Sequence, residues 1–278
     1  MTNFQNDLQF LAQEAVDENT SGDRLKEIAA KNIELARLVA SNSSTPPALL
    51  VTLANNRDIL IQENVTANPN TPTDTLLKFG SYYPGALFAN PILSLLILEN
   101  PNFLYEIQHH TLLSFLRYQV EKEKYQIIIE GSYTHIKIPE FCLEILAKHP
   151  NTLIRAIVAK HPYTPINIIE EFAEDDINNH YLITENVARN PNTPLSILNK
   201  FAKHPAWQLR GGVARNPNAP LELLEILAKD TDRFVRRGVA ENINAPIHLL
   251  KKLTQDKNSY VSYSAKDNLN LKKSQADT

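Results

Sequence analysis

Cysteine is almost absent from this chain, because Cys142 is the only one among 278 residues. A single thiol excludes a disulfide within the chain, a cysteine-based zinc site and a cysteine-held iron–sulfur cluster. Cys142 falls on an apolar helical stripe, so we expect it to be buried and a poor nucleophile. We therefore predict no cofactor and no metal centre.

Long apolar runs and export signals are also missing. The longest apolar run, residues 92–98, is interrupted by Ser94 and is far too short to cross a bilayer. The first residues lack the basic start and apolar stretch of a signal peptide. The sequence thus predicts a cytoplasmic protein without membrane contact, and we favour a monomer.

Glycine is scarce, with 7 residues against 17 prolines, and no glycine-rich phosphate-binding loop occurs. The nucleophile motif G-x-S-x-G and the zinc motif H-E-x-x-H are absent as well. The histidines that precede prolines, His149, His161 and His204, are predicted to cap turns and not to bind metal. These absences predict a protein that is not an enzyme.

What the sequence does contain is an eight-residue motif, Val-Ala-Arg-Asn-Pro-Asn-Thr-Pro, at residues 187–194. It recurs with small changes at residues 39–46, 65–72, 158–165, 213–220 and 239–246. The closing prolines are 26 residues apart from 46 to 72, from 194 to 220 and from 220 to 246, and 29 apart from 165 to 194. A fixed period of this size indicates a repeat array.

Each repeat is numbered here from its closing proline as position 0. Apolar or small residues at positions +3, +4, +7 and +8 form one face of a helix, which we name helix I. The threonine before the proline is predicted to cap helix I at its N-terminus. Apolar residues at +15, +19 and +20 predict a second short segment, helix II, as either an α-helix or a 3₁₀ turn. Asparagine at +22 is expected to end helix II in a left-handed conformation.

The repeats divide the chain into predicted regions. A single array covers residues 1–271, with an N-terminal cap helix in residues 1–20 and regular repeats in residues 21–84. Residues 85–138 are predicted to be degenerate, irregular repeats, and regular repeats resume in residues 139–271. Residues 272–278 are predicted to be a disordered tail.

The repeats resemble the leucine-rich repeat variant family. The Asn-Pro-Asn-Thr-Pro turn, the helix Leu-Leu-Glu-Ile-Leu-Ala at residues 223–228 and the segment Val-Arg-Arg-Gly-Val-Ala at residues 235–240 carry this resemblance. It implies an all-α, right-handed solenoid similar to HEAT-type arrays. The founding type of the family holds an iron–sulfur cluster ahead of its repeats, and this chain has no cysteine before residue 142 to hold one.

Two rows of basic residues are candidate sites. Arg155, Arg210 and Arg236 share position +16, where they either form a ladder that binds anions or tie neighbouring repeats through the +10 loop, which includes Asp230 and Asp256. The second interpretation is favoured because +16 lies close to the core. Lys160, Arg189 and Arg215 share position +21, just before the turn, where exposure favours a binding role more.

Trp207 and Phe234 are further candidates, with Tyr260 in the same row at +13 or +14. These rings either form a ridge that anchors a partner or fill gaps between helices. The favoured function is a non-enzymatic protein–protein interaction scaffold with an unidentified protein partner. The alternative is nucleic-acid binding through the basic rows of the C-terminal repeats.

Overall fold

The computed structural model describes residues 2–125, 137–174 and 181–276. The chain forms two compact units, Met1–Ile145 and Leu146–Thr278, and the division falls inside one helix. The array predicted over residues 1–271 is therefore described as one stack of helices in each unit.

The first unit begins with a long helix and continues with short ones joined by tight turns. Its α-helices are α1 (Thr2–Val16), α2 (Gly22–Ala29), α3 (Ile33–Ser41), α4 (Pro47–Ala54), α5 (Ile59–Ala67), α6 (Thr73–Gly80), α7 (Pro84–Ala89), α8 (Leu93–Glu99) and α9 (His109–Tyr125), with a 3₁₀ turn at Phe103–Tyr105. The helix α10 (Glu140–Ala147) runs across the division between the units.

The second unit contains four repeats of the helix pair and ends in a long helix. Its helices are α11 (Thr152–Lys160), α12 (Ile166–Glu174), α13 (Tyr181–Arg189), α14 (Leu195–Phe201), α15 (Trp207–Arg215), α16 (Leu221–Leu227), α17 (Arg233–Glu241), α18 (Ile247–Leu253) and α19 (Ser259–Ala276). The described residues contain no β-strand, so the predicted all-α class is confirmed.

Helix II is an α-helix, which decides between the two forms that the sequence left open. Among the described helices at this position, α3, α5, α11, α13, α15 and α17 are each nine residues long, α7 is shorter and α19 is longer. Successive helices II pack side by side, from α11 through α13, α15 and α17 to α19 in the second unit. Their apolar positions are buried as predicted, since Val213 and Val239 are fully shielded from solvent.

The asparagine at +22 joins each repeat to the one before it. Asn216 is fully buried, and its Nδ2 donates to the carbonyl oxygens of Ala188 at 2.8 Å and Asn190 at 2.7 Å. Its Oδ1 accepts the backbone N–H of Asn218 at 2.8 Å. Both N–H donors of the buried amide are thereby used, and its oxygen has a partner in the turn.

This arrangement repeats in both units as an inner asparagine ladder. Each rung donates to two backbone carbonyls of the preceding repeat or, at the first rung, of α1 and the residues after it. The rungs are Asn42, Asn68 and Asn90 in the first unit and Asn190, Asn216, Asn242 and Asn268 in the second. His161 takes the equivalent place ahead of Asn190, where its Nδ1 accepts the N–H of Tyr163.

The backbone of these asparagines corrects the expected left-handed cap. Asn216 ends α15 with φ −66° and ψ 125°, which is an extended conformation. A proline follows it, and the ring of a proline forces the preceding residue out of the helical region. The side chain then closes the turn by accepting the amide two residues ahead, so a positive φ is not needed.

The threonine of the motif also has a different role from the predicted one. Thr45 is fully buried, and its hydroxyl donates backwards to the carbonyl oxygen of Val39 in α3, at 2.6 Å, instead of capping the next helix. Pro46 is itself the N-cap residue of α4. Because the last carbonyls of a helix have no partner within the helix, the threonine satisfies one of them.

The second asparagine of the motif forms an outer ladder on the exposed side of the turn. The Nδ2 atoms of Asn192, Asn218 and Asn244 donate to the carbonyl oxygens of Pro162, Pro191 and Pro217 in the preceding turn. In the last helix, Lys272 Nζ donates to Ile243 O in the same way. Together the two ladders and the threonine explain the polar part of the repeated motif.

Helices extend across two of the predicted region boundaries. The boundary between residues 84 and 85 lies inside α7, because the repeat that starts at Pro72 is short and Asn90 becomes a rung only 22 residues after Asn68. The tail predicted from residue 272 is helical as far as Ala276, because α19 continues to that residue. Within it, Lys272 donates to the carbonyl oxygen of Ile243. Residues 277–278 lie outside the described residues.

Candidate functional site

Two of the three arginines at +16, Arg210 and Arg236, tie neighbouring repeats together. Arg236 holds Asp256 with two hydrogen bonds, from Nε at 2.7 Å and Nη2 at 3.1 Å, and Nη1 donates to the carbonyl oxygens of Asp230 and Thr231. Arg210 binds Asp230 in the same manner. Arg155 donates to the carbonyl oxygen of His149 in its own loop. These guanidinium groups therefore hold the +10 loops, as the favoured interpretation predicts.

The ion pair between Arg236 and Asp256 is nearly shielded from water. Both side chains are about a tenth exposed, at 8% and 10%. The guanidinium group lowers the pKa of the Asp256 carboxyl below its usual value through its hydrogen bonds, and the N–H of Asn258 contributes in the same direction. The carboxylate thus fixes the loop that leads into α19.

The basic row at +21 is partly neutralised by carboxylates on the same or the next helix. Arg189 pairs with Glu185 one turn earlier in α13. Arg215 crosses to Glu241 in α17 at 3.1 Å, and burial lowers the pKa of its guanidinium group while Glu241 opposes this effect. Lys160 is the half-buried last residue of α11.

The histidines cap turns, as the sequence predicts. His149 is fully buried and its Nδ1 accepts the N–H of Asn151 at 2.9 Å. His204 accepts the N–H of Ala206 in the same position of a later repeat. Cys142 is also fully buried, and burial raises the pKa of its thiol above the ordinary value. A thiol in that state is a poor nucleophile, as expected.

The aromatic residues lie at the N-terminal ends of helices II in the second unit. Trp207 and Phe234 stack with their ring centroids 4.8 Å apart and their planes at 27°. Phe234 is 36% exposed, Tyr260 65% and Tyr263 71%. We name these four residues the aromatic ridge. Only Trp207, which is half-buried, fits the gap-filling interpretation well, because the other three rings remain open to solvent.

A shallow cleft of about 260 Å³ adjoins the ridge. It is lined by Arg233, Phe234, Arg237, Asn258 and Tyr260, which come from α17 and from the start of α19. Arg233 is exposed, and its guanidinium carbon lies 4.8 Å from the centre of the Phe234 ring. The cleft therefore combines an apolar wall with positive charge.

Sequence reasoning missed Tyr263, Arg233 and Arg237 as members of this surface. Tyr263 is three residues after Tyr260, and that spacing on a helix places two side chains on one face. Arg233 and Arg237 are four residues apart in α17, so they also lie on one face of a helix, and Phe234 is next to Arg233 in the chain. The helical spacing was available in the sequence, but it became informative only once the start of each helix II was known.

The described parts of the chain offer neither a cluster of metal ligands nor a membrane-spanning helix. In residues 2–125, 137–174 and 181–276, no three histidine, cysteine or acidic residues are grouped so that they could hold a metal ion. Over the same ranges, no helix has the length and apolar character needed to cross a membrane.

The comparison with known families agrees with the repeat motif. Residues 9–69, which run from within α1 to just past the end of α5, match the family model described as the Leucine Rich Repeat Variant domain. No curated protein matches the chain. The same turn, helix pair and asparagine rungs continue in the second unit. The chain is thus a helical-repeat protein whose residues 9–69 are similar to the Leucine Rich Repeat Variant domain.

Proposed function

We propose that this protein is a non-enzymatic, cytoplasmic interaction scaffold that binds a segment of another protein along the aromatic ridge. The observation that supports this most is the exposure of Phe234, Tyr260 and Tyr263 in one row on neighbouring helices. Aromatic residues are enriched at the energetic centres of protein interfaces, and a soluble protein gains no stability from leaving three such rings in water.

The size of the ridge suits an extended segment. Neighbouring helices pack about 8–10 Å apart, so the ridge across α15, α17 and α19 spans about 20 Å. An extended chain covers roughly that distance with about six residues. A short linear segment is therefore a better match than a large globular surface, which needs about 800 Å² on each partner.

Nucleic-acid binding through the basic rows is the less favoured function. Binding to a phosphate backbone requires a track of cations that are free to replace counterions. Here Arg210 and Arg236 are engaged by aspartates, and Arg189 and Arg215 by glutamates. A phosphate group would have to compete with each of these carboxylates.

Site-specific crosslinking in cells tests the proposal. A photo-crosslinking amino acid replaces Tyr260 on the ridge or, as the matched control, exposed Lys251 on α18. We expect discrete, protease-sensitive adducts only from position 260, and we expect Phe234→Ala to remove them. Equal adducts from both positions, or none from position 260, would contradict the proposal. Nuclease-sensitive adducts would favour the nucleic-acid alternative instead.

A further inference from the structure

Two walls of the cleft beside the aromatic ridge are held in place by contacts within the protein. Its far side is set by Asn258, whose backbone N–H donates to Asp256 Oδ1 at 2.8 Å. Asp256 is in turn held by the buried Arg236 of α17. The near side is Phe234, which is backed by the stacked ring of Trp207. A site whose walls are positioned before binding loses less entropy when a ligand enters.

The charge of the cleft is positive. Glu241 is shared by two guanidinium groups, because its Oε2 accepts from Arg215 at 3.1 Å and its Oε1 from Arg237 at 2.6 Å. One carboxylate facing two cations leaves one positive charge uncompensated. Within the described part of the chain, Arg233 has no ion pair and faces the ring of Phe234.

The cleft also offers a neutral donor. The side-chain oxygen of Asn258 accepts the N–H of Tyr260 at 3.1 Å and caps the start of α19. That bond fixes the orientation of the amide group and leaves its NH₂ available to a ligand. A carboxylate has two oxygens and accepts several hydrogen bonds, so it matches a pair of guanidinium groups and an amide donor.

We propose that this cleft, between Arg233, Arg237 and Asn258, binds an acidic side chain of the extended segment whose apolar neighbour rests on Phe234 and Tyr260. This inference rests on the proposed protein-binding function and specifies the chemistry of the partner. The volume of about 260 Å³ is below the roughly 300–1,000 Å³ of typical cofactor sites, so it suits one or two side chains.

The local charges favour a single acidic group over a phosphate track. The excess charge is confined to Arg233 and to the pair that shares Glu241, while Arg210 and Arg236 of the same helices are engaged by aspartates. A single-stranded nucleic acid would place phosphates and bases along several helices and would need more free cations than these.

The test uses the full chain and a display library of random linear peptides as the probe. We expect the selected peptides to pair an aspartate or glutamate with an aromatic or aliphatic residue. Resynthesised peptides are titrated by fluorescence anisotropy against the wild type, Arg233→Gln and Tyr260→Ala. The matched control is Arg57→Gln, which removes an exposed arginine from the first unit.

Arg233→Gln is expected to weaken binding about tenfold, which is the loss of one hydrogen bond to a charged group. Arg57→Gln should leave the affinity unchanged. Arg233→Glu should reject the acidic peptides and bind versions in which lysine replaces the acid. That rescue would separate a charge contact from a change in the fold.

Three results would overturn the proposal: no selected peptide, selected peptides without an acidic residue, or equal affinities for the wild type and Arg233→Gln. A labelled oligothymidylate that binds the wild type and not Phe234→Ala would also overturn it, in favour of single-stranded nucleic acid. If crosslinking from position 260 persists in any of the first three cases, only the acidic subsite is wrong. If crosslinking fails too, the proposed function is also wrong.

Discussion

The two ends of the same helices in the second unit use their side chains in opposite ways. At the C-terminal ends, Asn216 and Asn242 are almost completely buried and each makes two hydrogen bonds to the preceding repeat. At the N-terminal ends, Phe234 and Tyr260 leave much of their surface in water beside an open cleft. The C-terminal end is buried against the preceding repeat, and the N-terminal end leaves aromatic side chains exposed.

The difference explains why one part of the repeat is regular and the other is not. At +22 an asparagine must reach two carbonyls and one amide at once, and only an asparagine or a similar group has that geometry. At +14 the residue meets solvent, and the repeats place Leu153, Leu182, Gln208, Phe234 and Tyr260 there. Variation at an exposed position lets a repeat array build a specific surface on a constant frame.

Asn216→Ala, at the C-terminal end of α15, is expected to cause the largest loss of stability. The change removes two hydrogen bonds to the previous repeat and one to the Asn218 amide, and it takes one donor from each of two buried carbonyl oxygens, of which that of Asn190 keeps the N–H of Thr193. We expect the free energy of unfolding to fall by about 3 kcal/mol. Urea titration followed by fluorescence measures it, because Trp207 is the only tryptophan and lies in this unit.

The matched control for this prediction is Asn218→Ala in the outer ladder. Its side chain makes one exposed hydrogen bond, to Pro191 O at 2.9 Å, so water can replace it. We expect a loss of less than about 1 kcal/mol. Equal losses for the two variants would mean that burial does not distinguish the ladders.

Much of this frame was predictable from the sequence. The 26-residue period, the two helices and the structural use of the asparagine all followed from the spacing of apolar residues and the turn motif. The threonine and the backbone of Asn216 were predicted wrongly, because both depend on contacts that form only when the turn is closed. Hydrogen bonds between turns about 26 residues apart depend on how repeats stack, which a single repeat does not reveal.

The candidate site was less predictable. Trp207 at +13 and Phe234 and Tyr260 at +14 lie within one residue of the same register, so a row was expected, but neither the exposure of the row nor its cleft could be read from spacing. The basic rows at +16 and +21 were visible in the sequence, and their ion pairs were visible only in part. A local pattern places a charge on a helix face, while its partner on the next helix depends on packing.

The ion pair that joins α17 to the loop before α19 is broken by Arg236→Gln. The variant leaves Asp256 with 10% exposure and without its cation, and we expect a loss of about 2 kcal/mol at pH 7. As a control, Arg237→Gln removes a more exposed pair within α17 and should cost less than about 0.5 kcal/mol.

The same pair predicts a pH dependence. The pKa of Asp256 is lowered in the folded protein, mainly by Arg236, so its stabilising effect is complete above the unfolded pKa of about 4. That effect is lost as the pH falls through the lower, folded pKa. The difference between the wild type and Arg236→Gln should therefore be constant from about pH 7 to 5 and shrink below about pH 4. A difference that grows in acid would contradict this account.

Gly211 and Gly212, in the middle of α15, differ in the space that surrounding atoms leave for a Cβ atom. A Cβ atom at Gly212 would lie 2.6 Å from Ala188 Cβ and 2.8 Å from the carbonyl oxygen of Glu185 in α13, so α13 and α15 would have to separate. At Gly211 the nearest atom is Nη1 of Arg215, at 3.3 Å, and that side chain can move.

We expect Gly212→Ala to destabilise the second unit by about 1–2 kcal/mol, which is the cost of overpacking less the gain in helix propensity. Gly211→Ala should be neutral or should stabilise by up to about 1 kcal/mol. Thermal unfolding of the two variants side by side measures the difference. Equal destabilisation would mean that the close approach of the helices does not depend on Gly212 alone.

The smallest effect on stability is expected at the exposed end, with Tyr260→Ala. The ring is 65% exposed, so the truncation removes little buried surface and should change the free energy of unfolding by less than about 0.5 kcal/mol. The helix that carries it keeps its cap, because Asn258 accepts the backbone N–H at position 260 whatever side chain is there. The proposed peptide contact, in contrast, loses one wall of its cleft, and we expect affinity for the selected peptides to fall at least about tenfold. Urea unfolding and fluorescence anisotropy on the same preparation measure both quantities. A variant that binds normally, or one that unfolds as readily as Asn216→Ala, would remove the distinction between a structural end and a binding end.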